Sequence, residues 1–317
     1  MAEYIFGVDI GGTTIKFGLF LAEGTLLDKW EAKTRLENNG AEIIPDVAKS
    51  IREKMSEKKL KKEEIVGVGV GVPGPVTENG EVIVAVNLHW GHTKVAEDLE
   101  KLLYIPVKAG NDANVAALGE MWKGGGRGTK NLIMVTLGTG VGGGIIIDGK
   151  IVPGAHGAGG EIGHASMEPD FPIACNCGNH GCLEQFTSAT GIVRVAKDEI
   201  ARAEKEGTDT ILDSENVSAK SVFDAYKQDD AIAGRIVDHF SRYLGKGLAI
   251  FACVVDPEIF VIGGGVSKAG QSLISAVEKY YRQFAFKPCK DTHLVQAQLG
   301  NDAGIYGAAK LAFDATQ

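Results

Sequence analysis

The sequence predicts an α/β protein built from two similar halves. Strand-like apolar runs alternate with helical patterns along the chain. Glycine is abundant, 43 of 317 residues, and clusters after apolar runs, where strand-to-loop turns fall. Three motifs then recur in one order. "FGVDIGGTTIKFGLF" from Phe6 is echoed by "MVTLGTGVGGGIII" from Met134, each a strand, a glycine turn and a second strand. "VGVGVGVPGP" from Val66 is echoed by "FVIGGGVSKAG" from Phe260, and "GNDANVAALGE" from Gly110 by "GNDAGIYGAAK" from Gly300.

The elements follow from periodicity. Strands are expected at 4–9, 15–21, 26–32, 65–70, 107–109, 132–137, 144–147 and 259–262. Helices are expected at 41–57, 94–101, 113–122, 188–206, 219–228, 231–253, 272–283 and 303–313. The two helices after the GNDA phrases are expected to be the crossings between domains. Their Ala and Gly residues would let them pack closely and slide. This divides the chain into a small domain, 1–113 plus 302–317, and a large one, 114–301.

A net charge of -8 argues against a nucleic-acid or anionic-membrane surface. The start has no basic n-region, and Asp9 interrupts the first apolar run, so no signal peptide is expected. The run from Gly247 to Val255 is too short to span a bilayer. A cytoplasmic location is the expectation. Three of the five cysteines, Cys175, Cys177 and Cys182, fall within eight positions, which reads as metal ligation rather than a disulfide framework.

Two glycine turns carry candidate phosphate chemistry. "DIGGTTIK" offers unhindered backbone N–H groups at Gly11 and Gly12, the hydroxyls of Thr13 and Thr14, the cation of Lys16, and Asp9 at the strand end. "LGTGVGGG" offers Gly138, Thr139 and Gly140. Neither is a P-loop, and neither opens a helix as GxGxxG does. Either turn alone is equally a structural hairpin, since such turns need glycine's positive φ. Together they could cradle a polyphosphate, with Asp9 holding Mg²⁺ through water. These turns resemble the two phosphate loops of the actin, hexokinase and heat-shock chaperone ATPase superfamily. "VIGGGVS" resembles its adenosine turn, which implies that Gly264, Gly265 and Val266 lie beside the nucleotide. The resemblance implies two ribonuclease H-like domains with an interdomain cleft.

A tetrahedral Zn²⁺ on the three thiolates needs a fourth ligand, and spacing leaves His164 and His180 both open. The whole segment "GAHGAGGEIGHASMEPDFPIACNCGNHGCLE" resembles the ROK family (repressors, open reading frames, kinases), as does the run from Leu137 to Gly154. The resemblance covers essentially the full length and implies His164, Cys175, Cys177 and Cys182 as structural zinc ligands. It also implies sugar contacts from Glu161, His164 and Glu184, from Asn87 in "NLHW", and from Asn111. Carboxylates accepting two hydroxyl bonds suit a polyol. The family's GxAGExGH reads here "GAGGEIGH", with Gly159 where Ala is usual, a swap expected to leave the chemistry undisturbed.

Asp112 and Asp302 are both candidate N-caps for the helices that follow. The family counterpart of Asp112 implies more: it would accept the proton of the attacking hydroxyl. The expected function is ATP-dependent phosphorylation of glucose at O6, with Mg²⁺ and the glycine turns neutralising charge and Lys16 a candidate to assist. A kinase for N-acetylmannosamine, fructose or allose uses the same kit. A sugar-responsive repressor would need an N-terminal helix-turn-helix, for which the first strand near Tyr4 leaves no expected room. An actin-like or chaperone ATPase would lack the cysteine–glutamate loop. The family implies a homodimer or dimer of dimers. Cys253 and Cys289 read as ordinary core or surface cysteines.

Overall fold

The computed structural model describes residues 3–316. Ten strands run in chain order: β1 Tyr4–Ile10, β2 Thr14–Leu21, β3 Leu26–Lys33, β4 Ile65–Val72, β5 Val107–Asn111, β6 Leu132–Leu137, β7 Val141–Ile147, β8 Lys150–Ile151, β9 Ile259–Gly263 and β10 His293–Gln296. The helices are α1 Glu37–Gly40, α2 Ile43–Lys58, α3 Val95–Leu103, α4 Asp112–Lys123, α5 Glu184–Thr187, α6 Ala189–Glu206, α7 Ala219–Tyr226, α8 Ala231–Val255, α9 Gln271–Phe284 and α10 Ala303–Asp314. Among them α1 and α5 are single turns.

The two sheets repeat one topology. The first has the order β3-β2-β1-β4-β5 and the second β8-β7-β6-β9-β10. In the first, β1, β2 and β3 are antiparallel neighbours, while β4 and β5 join in parallel. In the second, β7 and β8 are antiparallel, and β6, β9 and β10 are parallel neighbours. Each fifth strand is followed by a GNDA phrase and a helix. The duplication expected from three short motifs is therefore present in the strand order. Its fifth member in the second half, β10, was missed because a four-residue "HLVQ" carries no readable period.

By contacts the chain forms two compact units, Met1–Lys130 with Gly144–Gly160 and Gln298–Gln317, and Asn131–Gly143 with Glu161–Ala297. This grouping differs from the division expected at 113/114 and 301/302. In this grouping both GNDA helices lie wholly in the first unit, packed closely on each other. A Cβ on Gly307 would meet the Val115 carbonyl oxygen at 1.7 Å, and one on Gly119 the Ala303 carbonyl oxygen at 2.3 Å. Small residues lock α4 and α10 together rather than leaving them free to slide.

The core of the first unit lies on the first sheet. Phe6, Val8, Phe17, Val68 and Val70 pack with Ile43, Val47 and Ile51 of α2 and Leu99 of α3. On the other side, Ile5 and Phe20 meet Ile305, Ala309 and Ala312 of α10. β1 and β4 thus bury side chains on both faces, which explains their near-continuous apolar sequence. In the second unit α8 is the central helix, with buried Ile236, Phe240, Leu244 and Leu248 at helical spacing. Met167, Leu183 and Phe186 form a small apolar cluster beneath the cysteine loop.

Candidate active site

In the first unit the turn between β1 and β2 closes with Gly11 N–H donating to the Thr14 carbonyl at 3.0 Å. Asp9 is the penultimate residue of β1, with its Cα paired to Lys16 on β2. Burial raises the Asp9 carboxyl above its ordinary range, and the Lys16 charge opposes that shift. The carboxylate fits only because α10 carries a glycine there: a Cβ on Gly304 would lie 2.6 Å from Asp9 Oδ2. Lys16 Nζ donates to the Asn301 carbonyl at 3.1 Å. Thr13 is exposed at the tip of the turn. Asn87, on a 3-10 turn over Val86–Leu88, lies against the same loop, its carbonyl oxygen 3.1 Å from where Gly12 would carry a Cβ.

The GNDA expectation is corrected on one point. Asn111, not Asp112, caps α4: its Oδ1 accepts from the backbone N–H groups of Ala113 and Asn114, both at 3.1 Å. Asn111 Nδ2 donates to the Gly74 carbonyl at 3.0 Å and to Asp112 Oδ1 at 3.1 Å. Asp112 is the first helical residue, and its Oδ1 also accepts the Ala113 N–H at 2.8 Å. Asp302 makes no side-chain cap either and pairs with Lys29 at 2.7 Å. Asparagine outcompetes the aspartate at the cap because its extended backbone, φ -60 and ψ 139, aims Oδ1 at the open N–H groups.

In the second unit the turn over residues 138–140 is held from outside. Gly138 N–H donates to the Gly140 carbonyl, Ala189 N–H at the start of α6 donates to the Gly138 carbonyl, and Thr190 Oγ1 donates to the Thr139 carbonyl. Glu184 Oε2 accepts the Val141 N–H at 2.9 Å. A Cβ on Gly140 would sit 2.2 Å from that oxygen. Gly264, at φ +82, packs on the end of β6, where a Cβ would meet the Leu137 carbonyl oxygen at 2.5 Å. Gly265 and Val266 line a cavity of about 150 Å³ with Ala219 and Phe223 of α7 and Lys227 just after it. Sequence reasoning singled out none of these α7 residues, because α7 reads only as an amphipathic helix. Glu161 is exposed and precedes the 3-10 turn Ile162–His164.

His164, Cys175, Cys177 and Cys182 bring their ligand atoms within 4.8 Å of one another. Cys177 and Cys182 sulfurs are 3.6 Å apart, and Cys175 sulfur is 3.9 Å from His164 Nδ1. A tetrahedral Zn²⁺ with bonds of about 2.3 Å holds its donors about 3.8 Å apart. His180 instead bonds the Phe171 carbonyl through Nδ1 at 2.7 Å. Burial, reinforced by the neighbouring thiols, pushes Cys182 up to about 12, whereas the Asn179 backbone lowers Cys177. A bound dication overrides the first shift by stabilising thiolate directly. The donor set fits a structural zinc.

Solved structures share this architecture. A ROK hexokinase from Thermus thermophilus matches with TM-score 0.81 and 30% identity, over 99% of both chains. A ROK family glucokinase from Streptomyces griseus, in complex with glucose and AMPPNP, matches with TM-score 0.74 and 32% identity, over 98% of this chain and all of the other. Fold and turns define an ATPase of the actin and hexokinase class. The ROK family profile matches residues 5–315, and the chain belongs to the ROK family. Curated relatives include a glucokinase of Halalkalibacterium halodurans, 42% identical over 98% of this chain and 94% of that protein. An N-acetylgalactosamine kinase of a Shewanella species is 31% identical over 96% of both. Among the described residues no helix is long and apolar enough to cross a membrane.

Proposed function

We propose that this protein transfers the γ-phosphoryl group of ATP to O6 of glucose. One relationship carries the reading: a residue expected on the sugar lies beside a turn expected on phosphate, and it does so twice. Glu184 bonds the strand that leaves the 138–140 turn, and Asn87 packs on Gly12. Each unit thus holds donor and acceptor groups for both substrates.

In the proposed reaction Asn111, Asn87, Glu161, His164 and Glu184 bind hydroxyls, and Asp112 accepts the proton of O6 as it attacks. Two donors, Asn111 Nδ2 and the Ala113 N–H, hold the Asp112 carboxylate at the N-terminus of α4. Positioning of that kind suffices where the transition state is loose. The turns at 11–14 and 138–140 direct N–H groups to the phosphates, and Gly264, Gly265 and Val266 take the adenosine beside α7. Mg²⁺, with Asp9, would neutralise the phosphate charge. The structural zinc would leave Nε2 of His164 available to a hydroxyl, since Nδ1 faces Cys175.

The N-acetylgalactosamine kinase among the relatives supports a second reading, an amino-sugar kinase using the same machinery. Sugar-dependent ADP release, measured across glucose, fructose, allose, N-acetylmannosamine and N-acetylgalactosamine, separates them. Highest kcat/KM on glucose supports the proposal. Turnover confined to an N-acetyl sugar overturns it in favour of the second, and ATP hydrolysis indifferent to sugar overturns both. A homodimer or dimer of dimers is also proposed. Exposed Ile250 and Val254 near the end of α8, and Phe284 and Phe286 at the end of α9, supply apolar surface for it. Light scattering behind size exclusion reads the mass.

A further inference from the structure

Asn114 is 3% exposed, and nothing in the proposed chemistry uses it. Its Nδ2 donates to the Gly159 carbonyl at 3.2 Å, while Oδ1 is buried without a hydrogen-bond partner among the described residues. A buried amide with an orphan acceptor costs stability, so it is retained for something else. What it holds is the loop over residues 152–160, which runs directly into Glu161.

That loop is unusually tight. Gly159 N–H donates to the Pro153 carbonyl at 2.8 Å, and a Cβ on Gly159 would lie 2.2 Å from the Val152 carbonyl oxygen. An alanine at residue 159 would therefore clash with the Val152 carbonyl and force the loop to shift. Gly157, at φ +70, leans on Pro75 and Val76, and Asn111 holds the Gly74 carbonyl next to them. Asn111 at the N-cap of α4 and Asn114 in its first turn thus each hold a loop.

We propose that Asn114 is a positioning residue for sugar binding: with Gly159 it latches the 152–160 loop and so fixes where Glu161 begins. The proposal rests on the hexose-kinase reading. Asn114→Leu matches the heavy-atom count of the side chain and removes both the orphan acceptor and the donor to Gly159, and an unchanged far-ultraviolet spectrum shows that the variant folds. Amide hydrogen exchange at 153–160 accelerates in the unliganded protein. KM for the preferred hexose rises about three- to tenfold, the worth of one neutral hydrogen bond, with kcat nearly unchanged. Gly159→Ala gives the same signature, and the double variant is no worse than the worse single one, because both break one contact. Unchanged exchange, unchanged KM, or additive effects of the two substitutions would each overturn the latch. A wild type without hexose turnover, its loop still loosened by Asn114→Leu, would sink the kinase reading while the latch stood.

Discussion

Glu184 Oε2 accepts the backbone N–H of Val141 at 2.9 Å, directly over Gly140. One carboxylate thus joins the cysteine loop to a glycine turn 43 residues earlier. A Cβ at residue 140 would lie 2.2 Å from that oxygen, so Gly140→Ala must displace Glu184 or the turn. We expect kcat/KM for the sugar to fall about 100-fold, as for a displacement of roughly 1 Å in a substrate-positioning group. Retained zinc and an unchanged far-ultraviolet spectrum would show the fold intact. Near-normal kinetics would mean the contact is incidental.

The cysteine cluster predicts one zinc per chain by elemental analysis. Cys182→Ser removes a ligand at the most buried of the three sulfurs, and the metal should be lost with it. Because site and loop form together, stability should fall with it. The loss should be greater on acidification, since protons compete for thiolate and imidazole. Zinc retained at full stoichiometry in Cys182→Ser would contradict the ligand set.

The two GNDA phrases predict three different phenotypes. Asp112→Asn should cut kcat by about 10²–10⁴-fold with sugar binding preserved, the usual scale for loss of a general base. Asn111→Ala removes the cap of α4 and should cost about 1 kcal/mol of stability in addition to any kinetic effect. Asp302→Asn breaks a solvent-screened ion pair to Lys29 and should leave stability nearly unchanged. Urea unfolding alongside steady-state kinetics distinguishes the three.

Acid stability should depend on His239, which packs beside the stacked Phe186 and Tyr243 rings, with Nε2 buried and without a hydrogen-bond partner among the described residues. Burial first, then repulsion from Arg194, holds its imidazole below the ordinary 6.5. The unfolded chain therefore binds a proton near pH 6.5 that the folded one resists. Stability is unaffected by this group above that pH and declines as pH falls through it, until the folded imidazole itself protonates. Thermal unfolding from pH 7.5 to 5.5 should show a shallower decline in His239→Phe. An identical slope would remove His239 as the cause.

Much of this was legible because it is local. Eight strands and eight helices announce themselves by period, and the strand orders repeat as the doubled motifs require. The cysteine spacing pointed to a metal, although choosing His164 over His180 needed the family resemblance. What escaped depends on groups distant in sequence or differing by fractions of an ångström. Aspartate and asparagine cap helices almost equally well, so only backbone geometry assigns α4 to Asn111. Glu120, fully buried, accepts the N–H groups of Gly125, Gln298 and Leu299, a clamp no spacing rule reports. Gly159 and Gly304 look interchangeable with alanine until the atoms facing them are known.

The space that Gly304 leaves for Asp9 ties β1 to α10, elements far apart in sequence. Ile5 and Phe20 find their fully buried apolar partners in Ile305, Ala309 and Ala312 of α10. A nascent chain therefore carries the β1–β2 hairpin with this face incompletely covered until α10 has been made. Premature termination anywhere before α10 should yield a product prone to chaperone capture and degradation rather than a weakened enzyme.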